Sequence, residues 1–201
     1  MAVGSWAARL ERALTEQEEA SALALLPPER RARLMRMQSA QRRMEPLCAY
    51  LLLRAVLRQR YGWQELPEME RSAAGKPFFP DWPQVHFNLS HTDGAVLVGV
   101  GEIPLGVDIQ RIRPVRRQAM QRIAGADEER SFFQSWVRRE ARTKCTGEGI
   151  ASMMRREPPL RKGEQYHVLT TFPGYVAGLA VWSPDPPEPI QCCTLDQLLR
   201  P

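Results

Sequence analysis

Hydrophobic and polar positions divide the chain into alternating helical and extended stretches. Thr15-x-x-Glu18 has capping-box spacing and predicts a helix running to Leu26. Pro27-Pro28 interrupts it, and a second helix begins near Pro28, where the missing N–H of a first-turn proline costs nothing. From Ser39 to Tyr61, the residues Leu47, Tyr50, Leu51, Leu53, Leu57 and Tyr61 recur at near-helical spacing. Arg42, Arg54 and Arg58 are left for other faces, and Gly62 ends this longer helix.

After Pro67 the period shortens to that of strands. Val85 to Leu89 alternates around His86 and Asn88, and Ala95 to Val100 follows Thr92-Asp93-Gly94, which predicts a hairpin. Leu105 to Ile109 is a third strand. Helical texture returns from Asp127, a suitable N-cap, to Lys144, with Gly147 ending it. A strand pair is predicted at Tyr166 to Thr171 and Tyr175 to Trp182, joined by Phe172-Pro173-Gly174, with an extended Pro-rich stretch from Ser183 to Pro189. Thr194-x-x-Gln197 caps a short last helix. Helices and antiparallel strands in this order favour an α+β fold over a doubly wound sheet. They also divide the chain into two similarly built halves near residue 104.

Composition narrows the function classes. In 201 residues no apolar run approaches the length of a membrane span, and the richest, Leu47 to Leu57, is broken by Arg54. Met1 to Leu14 lacks the basic start and apolar core of a signal peptide. The four cysteines, Cys48, Cys145, Cys192 and Cys193, form neither a CxxC pair nor zinc-finger spacing, so a reduced, cytoplasmic setting is expected. The formal charge is +5, and of the 28 basic residues only Lys76, Lys144 and Lys162 are lysines. Arg30 to Arg60 holds nine arginines and a single acid, Glu45. Such a stretch points to an anionic partner: nucleic acid, a phosphate ligand, an anionic membrane surface or an acidic protein.

Three segments carry candidate chemistry. Gly75-Lys76-Pro77 presents a compact point charge suited to phosphate on a stiffened loop. Phe87-Asn88-Leu89-Ser90-His91-Thr92 places two hydroxyls and an imidazole where a strand enters a turn, a cradle for an anion, although an ordinary polar turn is the simpler account. Neighbouring Ser90 and His91 do not make a hydrolase pair, because sequence neighbours rarely reach the required geometry. The third segment pairs Gly106-Val107-Asp108-Ile109-Gln110 with Trp136-x-x-x-Glu140-Ala141-x-x-Lys144. On a helix Trp136, Glu140 and Lys144 form one stripe. One carboxylate from a strand and one from a helix can hold Mg²⁺, whose shell water and substrate phosphate complete. A surface Glu140–Lys144 pair is the plainer alternative.

Taken in order, these motifs closely resemble the 4′-phosphopantetheinyl transferases of the longer, surfactin-synthetase-activating type, over most of the chain. Pro28-Glu29-Arg30-Arg31 resembles the basic helix start of that family's first lobe, and Phe172-Pro173-Gly174-Tyr175 its last hairpin. The resemblance implies two similar lobes with small antiparallel sheets, a pseudo-dimer in one chain. Residues 1–104 would carry basic helices and nucleotide contacts, and residues 105–201 the metal and catalytic residues. It implies Mg²⁺-dependent transfer of phosphopantetheine from coenzyme A to a serine of an acyl or peptidyl carrier protein, releasing adenosine 3′,5′-bisphosphate. By resemblance Asp108 and Glu140 hold the metal, with Gln110 a possible third ligand. Lys144 and His91 contact the pyrophosphate. Arg30, Arg33, Gly75, Lys76, Pro77, Ser90 and Thr92 secure the nucleotide. Glu140 is the candidate for the serine proton.

Gln110 stands where the family's metal strand often has a second acid, and Arg139 where a lysine is common. The segment from Gln110 to Trp136 is also shorter than in longer members, with Asp127, Glu128 and Glu129 its only acids. These departures motivate an alternative: a non-catalytic coenzyme A or carrier-protein binder on the same scaffold. A nucleic-acid-binding domain rests only on the Arg-rich helix and lacks aromatic interleaving. The expected protein is a monomer that needs neither nucleic acid nor membrane.

Overall fold

The computed structural model describes residues 3–148, 157 and 159–200. It is a mixed α/β structure with small sheets and flanking helices. The first half opens on a strand, β1 (Gly4–Arg9), and continues with the helices α1 (Glu16–Ala24), α2 (Pro28–Met35) and α3 (Ala40–Tyr61). There follow β2 (Glu70–Arg71), β3 (Pro77–Phe78), β4 (His86–Thr92), β5 (Ala95–Gly101) and β6 (Leu105–Arg111). Next are α4 (Arg117–Ala124), α5 (Glu129–Thr146), β7 (Glu164–Leu169), β8 (Tyr175–Trp182), β9 (Gln191–Thr194) and α6 (Leu195–Leu198). No helix among the described residues is long and apolar enough to cross a membrane.

The caps act as the sequence predicts, with one exception. The Thr15 side chain accepts from the Glu18 amide while Glu18 accepts from the Thr15 amide, closing the box that starts α1. Thr194 and Gln197 repeat it at α6. Gly62 ends α3 at φ +72°, a left-handed position that strains other residues. Asp127, however, does not cap α5. Glu128 holds that position, and the Asp127 carboxylate instead accepts from Arg117 and from Gln121, at 3.2 and 2.7 Å, because α4 presents both donors to it. Thr15→Ala removes one partner of an exposed box, so chemical denaturation should show a loss of about 1 kcal/mol without loss of fold.

Three sheets form. The first has order β4-β5-β1-β9, the second β6-β8-β7, and β2-β3 is a short ribbon. All pairings are antiparallel except β1 with β9, which run parallel, so the last strand of the chain returns to the first sheet. Neither β1 nor β9 is predicted by the pattern. Gly4-Ser5-Trp6-Ala7-Ala8-Arg9 is nearly all buried and so lacks the alternation of a half-exposed strand, and Gln191-Cys192-Cys193-Thr194 is only four residues long.

The first sheet lies between two cores. Val96, Val98 and Val100 of β5, with Trp6 and Ala8 of β1, join Leu47, Leu53, Leu57 and Phe87. Ala95, Leu97 and Ala7 point the other way, into the core of Val107, Ile109, Ala177 and Leu179. Polar bonds fasten β4 to β6 across the join. Asn88 Oδ1 accepts the Val107 N–H at 2.9 Å, and Ser90 Oγ accepts the Ile109 N–H at 3.2 Å. The two-residue spacing on each strand lets alternate side chains on β4 meet alternate amides on β6.

Candidate active site

The site forms where α5 crosses β6. Gly106 permits the approach: a Cβ there would strike the Ala141 carbonyl oxygen and the Cys145 amide nitrogen, both backbone atoms of α5. This contact brings the Glu140–Lys144 stripe to Asp108, two residues along the strand.

Asp108 is 1% exposed. Its Oδ1 accepts from the Ser90 hydroxyl at 2.7 Å and from the Lys144 ammonium at 2.7 Å. Its Oδ2 lies 3.3 Å from the Gln110 amide nitrogen. Lys144 also reaches the Ser90 hydroxyl oxygen and the Val107 carbonyl, each at 3.3 Å. Buried charge survives here because it is paired and hydrogen-bonded. Glu140 is half-buried on the same stripe. Burial pushes its carboxyl up from the usual range; Lys144 opposes this and the charge of Asp108 adds to it.

His91 completes the polar wall. Its Nδ1 lies 3.0 Å from Glu45 Oε2, and the other Glu45 oxygen accepts the Gly94 N–H at 3.0 Å. The His91 bond is the main cause holding the Glu45 carboxyl low, aided by the Gly94 N–H and opposed by burial. A cleft of about 550 Å³ runs between Ser90, His91, Asp108, Gln110, Glu140 and Lys144 on one side and an apolar wall on the other. Val115, Ile123, Phe132 and Trp136 form that wall, with Phe132 and Trp136 stacked at 6.2 Å.

A second recess, about 280 Å³, shares Glu140 and Lys144 and is lined by Gly75, Lys76, Pro77 and Asn88. The loop of Gly75 therefore joins the site. Lys76 itself donates to the carbonyls of Leu105 at 2.9 Å and Cys145 at 3.1 Å, tying the end of α5 to the start of β6. Burial pulls its ammonium below the usual lysine range.

The other candidates lie apart. Arg30 is buried and its guanidinium donates to the Met69 carbonyl, while Arg33 is exposed on α2. Neither they nor Thr92 lines the two recesses. Ser90 supports Asp108 and the β6 backbone. Arg139 donates to the Ile123 carbonyl at 2.6 Å and lies 3.6 Å from the Glu157 carboxylate. Arg142 is buried on Glu164 and Glu157. Two participants carry no assigned role in the sequence reading: Asn88, legible from its spacing to Ser90, and Glu45, marked only by being the one acid in an Arg-rich stretch.

Comparison with known proteins gives a consistent set. The chain is 24% identical over 219 residues to the 4′-phosphopantetheinyl transferase Sfp of Bacillus subtilis (strain 168), covering 94% of this chain and 97% of that protein. It is 24% identical over 217 residues to the 4′-phosphopantetheinyl transferase ffp of Bacillus subtilis, with the same coverage. It is 33% identical over 118 residues to the 4′-phosphopantetheinyl transferase psf-1 of Bacillus pumilus, covering 52% of this chain and 51% of that one. No family model matches.

Proposed function

The chain belongs to the 4′-phosphopantetheinyl transferases, and on that premise we propose that it transfers phosphopantetheine from coenzyme A to a serine of an acyl or peptidyl carrier protein, with Mg²⁺. The observation that carries the reading is the convergence of Asp108, Glu140, Lys144 and His91 on one cleft. The serine hydroxyl oxygen bonds to the phosphorus that bears the pantetheine arm. The bond from that phosphorus to the bridging oxygen breaks, and adenosine 3′,5′-bisphosphate leaves with the electron pair. Such a displacement needs alignment and charge neutralisation more than a protein nucleophile.

The donor set fits Mg²⁺. That ion takes one or two carboxylates and fills its shell with water and phosphate oxygens. Asp108 and Glu140 supply the pair, and the charge of Asp108 raises the cost of ionising Glu140, a repulsion that a cation relieves. Among the described residues no three His, Cys, Asp or Glu gather into an all-protein cage. When bound, the ion supplies positive charge to the pyrophosphate. Lys144 and His91 present further donors to its oxygens, and the raised carboxyl of Glu140 is the group we assign to the serine proton. Gly75 to Pro77 border the nucleotide end, where Lys76 holds the recess in shape. We place the protein in the cytoplasm as a monomer.

The test is intact-mass spectrometry of apo-carrier proteins from fatty acid, polyketide and peptide synthesis, each incubated with the chain, coenzyme A and Mg²⁺. A gain of one phosphopantetheine is expected on at least one carrier. Coenzyme A binding with no gain on any of them would make the chain a non-catalytic binder.

A further inference from the structure

We propose that Glu45 is a positioning residue, which fixes His91 so that its Nε2–H meets a phosphate oxygen of the substrate. The proposal rests on the transferase reading for the identity of that substrate. Its observations are separate. Glu45 lies in α3 as the one acid among the nine arginines of residues 30–60. It spans instead to the β4–β5 hairpin, on His91 Nδ1 and the Gly94 N–H, each at 3.0 Å.

A carboxylate only accepts hydrogen bonds, so the hydrogen between Glu45 and His91 is carried on Nδ1. With Nδ1 donating to Glu45, Nε2 is the ring atom left for a ligand in the cleft that His91 lines beside Asp108, Glu140 and Lys144. A phosphate oxygen only accepts, so the ring that meets it carries hydrogen on both nitrogens, between two anionic acceptors. The second bond holds the turn that carries the ring. Gly94 sits at φ +82°, and its carbonyl accepts the Leu10 N–H at 2.9 Å, so the hairpin tip is anchored from two sides. The imidazole is thereby oriented before substrate arrives, and binding need not supply the cost of ordering it. His91 is 44% exposed at its side chain, so burial alone does not fix the ring.

Glu45→Gln separates the two bonds. The glutamine oxygen can still accept from Gly94, but its amide nitrogen cannot accept from Nδ1–H. The full chain is first examined without substrate by long-range proton–nitrogen NMR of His91. The wild type should carry hydrogen on Nδ1, and Glu45→Gln should shift it towards Nε2. Calorimetric titration with coenzyme A and with inorganic pyrophosphate then reads the consequence, with thermal melting as a check on folding. Glu45→Gln should weaken both by about 10-fold, the scale of one lost charge-assisted bond. In a His91→Ala background the same change should add nothing, since Glu45 acts through the ring.

Three results would overturn the proposal: an unchanged His91 tautomer, an equal loss of affinity with His91 absent, or a wild type that binds neither probe. A chain that binds both as described and modifies no carrier would overturn the transferase reading and leave the role of Glu45 intact.

Discussion

Asp108→Asn should reduce holo-carrier formation by at least about 100-fold, the scale on which enzymes lose rate when one group neutralising transition-state charge is removed. The side chains are nearly the same size, so the 1%-exposed position is refilled without a cavity. The amide oxygen can still accept from the Ser90 hydroxyl, which meets Asp108 at 2.7 Å. What disappears is the negative charge, and with it both a ligand for a cation and the partner of the Lys144 ammonium. Lys144 is 27% exposed at its side chain, so water can take up part of the lost pairing. The stability cost should therefore stay near 1–3 kcal/mol, less than for breaking a fully enclosed pair. Glu140→Gln is the companion variant. It neutralises a carboxyl that burial and Asp108 already push towards neutrality, so it should leave the melting temperature unchanged or raised while also abolishing transfer. Rates come from intact-mass measurement of an apo-carrier with coenzyme A and Mg²⁺, and stability from calorimetry. Full transfer by both variants would remove these carboxylates from the chemistry.

The parts of this site that the sequence made legible are those set by local spacing. Trp136, Glu140 and Lys144 share a helical stripe wherever the helix packs, and Asp108 and Gln110 share a face of any strand. The caps at Thr15, Ser39, Gly62 and Thr194 are equally local, each a matter of one side chain or one glycine and its own turn. Tertiary partners were not legible. Nothing near Glu45 announces His91, 46 residues away, and nothing near Lys76 announces the carbonyls of Leu105 and Cys145. The parallel pairing of β1 with β9 joins segments from opposite ends of the chain, neither with a strand pattern of its own.

The same limit governs the arginines. A stretch with nine of them looks from sequence like a surface for an anionic partner. In the structure Arg30 and Arg31 donate to main-chain carbonyls of Met69 and Leu23, and Arg54 to that of Gln64. Arg43 pairs with Glu19 and Arg60 with Glu188. On α5, Arg142 is buried between Glu157 and Glu164. Much of the basic charge fastens the fold together, since a guanidinium carries five donors and can serve two partners at once. Composition counts charges without recording which already have partners.

Gly106→Ala should be as damaging to transfer as loss of a carboxylate, although the residue bears no chemistry. Its added methyl would meet the Ala141 carbonyl and the Cys145 amide. These are backbone atoms in the C-terminal turns of α5, which cannot rotate aside as a side chain would. The helix must translate, yet it is held at one end by Lys76 on the Cys145 carbonyl and along its length by Arg142 on Glu164. Overpacking against a rigid element puts the cost at about 3 kcal/mol. A shift of about 1 Å in Glu140 and Lys144 relative to Asp108 should lower the transfer rate by about 100-fold. Gly101→Ala is the control. Its Cβ would meet the Val3 side chain at 2.8 Å and the Leu105 side chain at 3.4 Å, with backbone no nearer than the Val3 Cα at 3.3 Å, and it lies away from the cleft. It should therefore lose stability with little change in rate once folded. Calorimetry and the mass assay, run at a temperature where both variants remain folded, separate the two. Wild-type rates in Gly106→Ala would show that the register of α5 on β6 does not set the catalytic geometry.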